Sequence, residues 1–223
     1  MITGTKEAVV EAFKEEMKVT IQMSDLGLLS FYLGIEVHQD SSDISLRQTA
    51  YAERIVELGG LTGCNPAHTP KEERLKLSHD SATKEVDATR YWRIVGSLRY
   101  LIHTWQDLAF AVGYVSRFMQ RPTTEHQQAV KRIFRYVAGT SDYGLHYPRC
   151  PDAEHFIGYT SGTLFFLGKC LISWQSVKEQ VVALSSCEAE YIAATTASTQ
   201  ALWLARLLGD LLGRHKRSGA QGG

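Results

Sequence analysis

Cysteine is scarce in this sequence, and the four present stand far apart, at Cys64, Cys150, Cys170 and Cys187. None forms a C-x-x-C pair, so neither a zinc ribbon nor a redox motif is indicated. Dispersed thiols of this kind fit a reducing compartment, the cytosol or the nucleus. Net charge is lacking as well. Lys and Arg number 24, Asp and Glu number 24, and the formal net charge is zero. The field of the whole molecule therefore advertises no nucleic-acid partner. No apolar run approaches the roughly 20 residues that span a bilayer, and the N-terminus has no signal-peptide pattern. The expectation is a chain with no membrane partner.

What is present suffices for a fold. At 223 residues and 44% hydrophobic content, the chain can bury a sizeable core, as one large or two small domains. Charge is unevenly placed. Between residues 91 and 135, seven basic residues (Arg93, Arg99, Arg117, Arg121, Lys131, Arg132, Arg135) stand against two acidic ones, Asp107 and Glu125.

Periodicity places the elements. Residues 6–18 form an amphipathic helix, with Val9, Phe13 and Met17 at i, i+4, i+8 and Thr5 as cap. Residues 31–37, FYLGIEV, read as one strand that pairs with residues 44–46 in a hairpin. Helices are expected at residues 49–58, then after Asp87 (apolar stripe Tyr91, Val95, Leu98, Ile102), after Asp107 as far as Met119, and from a Thr124/Gln127 capping box to Gly139. Lys131 and Arg135 share one face of the last of these at i, i+4, with Arg132 beside them. That face can meet phosphates or simply solvent. Residues 148–152 read as a linker. Three short strands follow, at 155–159, 163–167 and 171–174, and then a long helix from Ser185 to about Leu212. The tail, residues 214–223, is polar, glycine-rich and reads as disordered.

The stretch SSCEAEYIAA, residues 185–194, opens that long helix. Ser185 and Glu188 have capping-box spacing. Glu190 lies about 200° around the helix from Glu188 and cannot serve the same cap. A carboxylate in the first turn of a helix leaving a sheet can help hold a divalent metal. It can equally be a solvated residue favoured by the helix dipole.

The run VVALSSCEAEYIAATTASTQALWLARLLGDL resembles the ribonuclease H region of copia-type retrotransposon Pol polyproteins. Further motifs follow the family's order: MSDLG, FYLGIEV, VGSLRYL, SRFMQRPT, KRIFRYVAGT, GLHY and ISWQSVK. The similarity covers nearly the whole chain, to about Gly213, and corresponds to the part of such a polyprotein after the polymerase active-site Asp pair. The resemblance implies an α+β fold. Residues 1–47 would be the end of the polymerase palm, with a primer-grip-like hairpin at Tyr32, Leu33 and Gly34. Residues 48–147 would be a helical thumb and connection, whose Lys131, Arg132 and Arg135 touch phosphates. Residues 148–213 would be a truncated ribonuclease H-like β-β-β-α unit, with Glu190 as a residual catalytic and metal-binding carboxylate.

The sequence departs from the family where the chemistry lies. Family members follow the first-strand Gly-Tyr with Ser-Asp-Ser-Asp-Trp and a polar loop; here Gly158-Tyr159 passes directly to Thr160-Ser161-Gly162. A later family Asp, beyond the long helix, has no counterpart, and the chain starts after the polymerase Asp pair. Trp92 and Trp105 stand where the family has Arg, which would weaken phosphate binding there. The expectation is a catalytically inactive fragment. Mg²⁺ serves the family, but no functional ion is expected here. Partners would be RNA–DNA hybrid or DNA, weakly, or other retrotransposon proteins. The alternatives are a nucleic-acid-binding module, or residual ribonuclease H action with Asp152 or Glu154 joining Glu190.

Overall fold

A computed structural model of the chain describes residues 7–21, 23–148, 156–160, 163–176 and 185–212. It is an α+β arrangement with two antiparallel sheets. The first helix, α1 (Glu7–Thr20), is amphipathic as the spacing predicts, yet it buries no residue, and Val9 and Phe13 stay exposed. Lys14 ties it to the following segment through Asp25, at 3.1 Å. The Thr5 cap lies outside the described residues.

The FYLGIEV segment is not one strand. It folds back on itself as β1 (Phe31–Tyr32) and β2 (Ile35–Gln39), with Tyr32 paired to Ile35. The two residues between them, Leu33 and Gly34, have φ of 49° and 80°. A two-residue hairpin needs such positive values because their twist matches that of the flanking strands. Gly34 adopts its value freely, whereas Leu33 is held in the small left-handed region. Next comes β3 (Asp43–Arg47), reached by a turn in which Asp40 accepts from the Ser42 hydroxyl and the amides of Ser42 and Asp43. Those bonds, the hydroxyl first, hold the Asp40 carboxyl down at about 2.

A fourth strand, β4 (Gly144–Pro148), completes the sheet by pairing with β3 from a hundred residues further along. Pro148 therefore ends a strand instead of starting a linker. It sits opposite Asp43 at the end of the ladder, where a missing N–H costs least.

The helical layer is α2 (Thr49–Leu58), α3 (Ala88–Leu101), α4 (Leu108–Ser116) and α5 (Thr124–Ala138). Its core joins Ile55, Val95, Leu98, Leu108, Val112 and Ile133. Asp87 caps α3 as expected, accepting from Thr89 N–H at 2.9 Å. Four details differ from the sequence reading. The helix after Asp107 ends at Ser116, short of Met119. Leu101, not Ile102, completes the buried stripe of α3. Asp107 makes no cap bond; its backbone is already helical and its carboxylate accepts from the Tyr136 hydroxyl of α5. The capping box of α5 is Thr123 with His126, one residue earlier than Thr124 with Gln127, because Thr123 has the extended backbone a cap needs.

The C-terminal part holds β5 (Phe156–Thr160), β6 (Thr163–Leu167) and β7 (Cys170–Gln175), in the order β5-β6-β7, followed by α6 (Ser186–Leu211). β5 and β6 pair in one sheet, with Thr160 opposite Thr163, as the short Thr-Ser-Gly-Thr junction predicts. The turn residues Ser161 and Gly162 lie outside the described set. Trp174 anchors β7 on the helical layer by donating its Nε1–H to the Ile102 carbonyl at 3.1 Å. Gln200 of α6 reaches Ser173 of β7 at 3.5 Å.

Candidate nucleic-acid interface and metal position

The hairpin tip carries the first group of candidates. Tyr32 and Leu33 are exposed, Leu33 by 72%. Gly34 faces inward: a Cβ there would lie 2.7 Å from the Tyr100 hydroxyl. The tip thus presents two side chains outward, and the glycine lets the hairpin sit on α3. Behind it, Tyr100 meets Tyr51 edge-on, with ring centroids 4.9 Å apart. Glu36, inside the same motif, accepts from Ala50 N–H at 3.0 Å. A carboxylate on the first turn of α2 complements the helix dipole. This strand-to-helix cap was not read from the sequence, because Glu36 lies fourteen residues before its partner.

The α5 face carries the second group. Lys131 is exposed. Arg132 is committed to the loop before α3. Its Nε donates to the Thr69 carbonyl at 3.2 Å, Nη2 to Thr69 Oγ1 at 3.1 Å and Nη1 to Glu72 at 3.0 Å. Arg135 donates from Nε to the Asn65 carbonyl at 2.7 Å. Two of the three cations therefore clamp residues 65–72 onto α5. Sequence spacing places them on one helix face but cannot show what lies on that face, since the partners are 60 to 70 residues away.

Trp92 and Trp105, the two positions where the resemblance implies Arg, part company. Trp92 is exposed, but Trp105 is 2% exposed and belongs to the core. Position 105 points inward in this fold, so a side chain there makes no surface contact with phosphate. A Trp there adds apolar volume to the junction of α3 and α4.

Glu190 is exposed on α6. The helix starts at Ser186 with Ser185 as cap, accepting from Glu188 N–H at 3.2 Å. Glu188 is in the first turn, and Glu190 falls in the second. This corrects the first-turn placement and moves Glu190 past the strongest part of the helix dipole. Among the described residues no group of three or more His, Cys, Asp or Glu side chains could hold a metal ion. Asp152 and Glu154 lie outside the described residues. No described helix is long and apolar enough to cross a membrane.

The described residues thus form an α+β chain in which an N-terminal hairpin leads into a helical layer and then a second sheet. The family described as reverse transcriptase (RNA-dependent DNA polymerase) matches residues 1–73. The chain belongs to the retrovirus-related Pol polyproteins of copia-type transposons. It is 33% identical over 225 residues to the Pol polyprotein from transposon RE1 of Arabidopsis thaliana, covering 95% of this chain and 15% of that protein. The Pol polyprotein from transposon TNT 1-94 of Nicotiana tabacum is 35% identical over 242 residues, 97% of this chain and 18% of its own length. An uncharacterised mitochondrial protein of Arabidopsis thaliana is 32% identical over 216 residues, covering 91% of this chain and 90% of its own length. The chain thus spans less than a fifth of the transposon polyproteins. No solved structure matches it.

Proposed function

We propose that this part of a Pol polyprotein is non-catalytic. In this reading residues 1–47 are a palm remnant, 48–147 a thumb and connection, and 148–213 a ribonuclease H-like unit without a metal centre of its own. The observation that carries the reading is the register of the second sheet. Thr160 of β5 stands opposite Thr163 of β6, so only two residues join the strands. The carboxylate-bearing segment and polar loop expected from the resemblance have no room at that junction. Two-metal hydrolysis needs shared carboxylates that set two ions roughly 3.5–4 Å apart. Reverse transcriptases use divalent metal ions. Glu190 is exposed, and among the described residues no group of three or more potential ligands gathers, so they do not fit a Mg²⁺ pair. Mg²⁺ also dehydrates reluctantly, so one carboxylate should hold it weakly and without fixed position.

The purified chain is expected to leave the RNA strand of an RNA–DNA hybrid intact in Mg²⁺ or Mn²⁺. The control is Glu190→Gln. Metal-dependent cleavage that this change abolishes would overturn the reading. Cleavage that persists unchanged in Glu190→Gln would mark a contaminant.

A second role, holding hybrid or DNA weakly, is favoured by Lys131, which stays exposed, and by the exposed tip at Tyr32 and Leu33. If Lys131 meets a phosphate, Lys131→Ala lowers the slope of log affinity against log salt by about 0.9 on duplex. Fluorescence anisotropy over a salt series reads this. An unchanged slope reduces Lys131 to solvated surface. Arg132 and Arg135 are poorer probes, because their loss also frees the 65–72 loop. Other retrotransposon proteins are the alternative partners, and for them the same exposed tip is the contact to mutate first.

A further inference from the structure

We propose that His126 is the acid-sensitive pin of a latch that holds residues 78–86 against the start of α5. The ring is fully buried and stacks on Phe118, with centroids 4.1 Å apart and planes 13° from parallel. Its Nδ1 accepts from Thr123 N–H at 3.0 Å, and the Thr123 hydroxyl lies 3.1 Å from the same atom. Its Nε2 lies 3.1 Å from the Ser78 carbonyl oxygen. A backbone N–H can only donate and a carbonyl can only accept. The two contacts together therefore require the neutral ring with its proton on Nε2.

The rest of the latch surrounds this pin. Thr124 N–H donates to the Lys84 carbonyl at 2.9 Å, and Val86 N–H to the Pro122 carbonyl at 3.0 Å. Ser81 donates to Glu125 at 2.9 Å, and Arg121 pairs with Glu85. Protonating His126 puts an N–H on Nδ1, facing the Thr123 N–H. The cap is lost, two donors oppose each other, and a cation is left in a buried site.

Charged and titratable neighbours bear on the pin from several sides. Glu125, next to it on α5, favours the charged ring, and His79, whose ring meets Phe118 at 4.8 Å, opposes it. Asp80, Lys84, Glu85 and Arg121 complete the charges of the latch. Burial is the largest influence and holds His126 below its ordinary 6.5. A base whose folded value is depressed contributes its full stability above 6.5 and loses it as pH falls through the lowered value.

Hydrogen exchange on the full chain at pH 7 and pH 5.5, corrected for intrinsic rates, tests this. The Thr124 and Val86 amides should lose protection relative to Leu98 in α3, by on the order of tenfold for each pH unit between 6.5 and the lowered folded value, and no further below it. His126→Gln keeps an uncharged acceptor and donor, and its latch should open equally at both pH values. If that variant fails to fold, a ring-proton titration of His126 in the unaltered chain gives the second reading. It should titrate below 6.5, at the pH where the loss of protection levels off. The proposal is overturned if Thr124 and Val86 track Leu98 at both pH values, if His126→Gln retains the acid response, or if the ring of the folded chain titrates at or above 6.5.

Discussion

Trp105→Ala is expected to lower the free energy of unfolding by about 3–5 kcal/mol, the range for truncating a buried Trp. Whole domains of this kind are stable by only about 5–15 kcal/mol, so the variant should lose much of its margin. Trp105 is 2% exposed and is among the largest fully buried side chains. It sits in the short connection between α3 and α4, and its amide donates to Leu101 at 3.0 Å. The indole Nε1 has no hydrogen-bond partner in the described structure. The side chain therefore stabilises through packing and not through a polar anchor. Trp105→Phe, which keeps most of the ring and exposes no new polar group, should cost far less than Trp105→Ala. Denaturant titration followed by circular dichroism distinguishes the two. A cost below about 1 kcal/mol for Trp105→Ala, the ordinary surface range and a little above it, would place position 105 outside the core.

The same residue shows how far the sequence could be read. Its type and its neighbours pointed to a family, and through the family to a phosphate-facing position. Only three-dimensional packing reveals that the position faces inward. Helices were legible where one face is apolar over several turns. Leu108, Ala111, Val112 and Val115 are all buried, as the spacing of α4 predicts. Short-range chemistry was legible too, as at Asp87 and Ser185, since each cap bonds a residue two or three positions away. What was not legible depends on partners distant in sequence. Glu36 of β2 caps α2, two elements on, Asp107 turns from its own helix to Tyr136, and Arg132 and Arg135 grip a loop 60 to 70 residues back. The FYLGIEV strand was misread for a different reason. Apolar and β-branched residues run through it unbroken, and Leu-Gly is a weaker turn signal than Asn-Gly or Asp-Gly. The candidate site follows the same division. Glu190 is placed on its helix by local pattern, but whether carboxylates gather around it is a tertiary question.

The fourth strand was missed because nothing local marks it, and it supplies the second large effect. Gly144→Ala should detach β4 from the sheet. Gly144 stands opposite Arg47, and a Cβ there would lie 2.3 Å from the Leu46 carbonyl oxygen and 2.8 Å from Arg47 Cγ. The first of these neighbours is backbone inside the β2-β3-β4 ladder, so it cannot step aside without breaking strand pairing. Overpacking of this kind costs about 1–3 kcal/mol, and here the strain falls on the pairing itself. Leu145, next to Gly144 and paired with Leu46 of β3, is buried, so its packing should loosen with it. Hydrogen exchange should report faster opening at residues 144–147 than in α3. Gly96 is the matched control. It lies exposed in the middle of α3, and a Cβ there meets nothing within 4 Å. Gly96→Ala should therefore stabilise the chain by about 0.5–1 kcal/mol through helix propensity alone. Opposite signs for the two substitutions would tie the close approach at Gly144 to the sheet. A neutral Gly144→Ala would mean that β4 is not held at this register in solution.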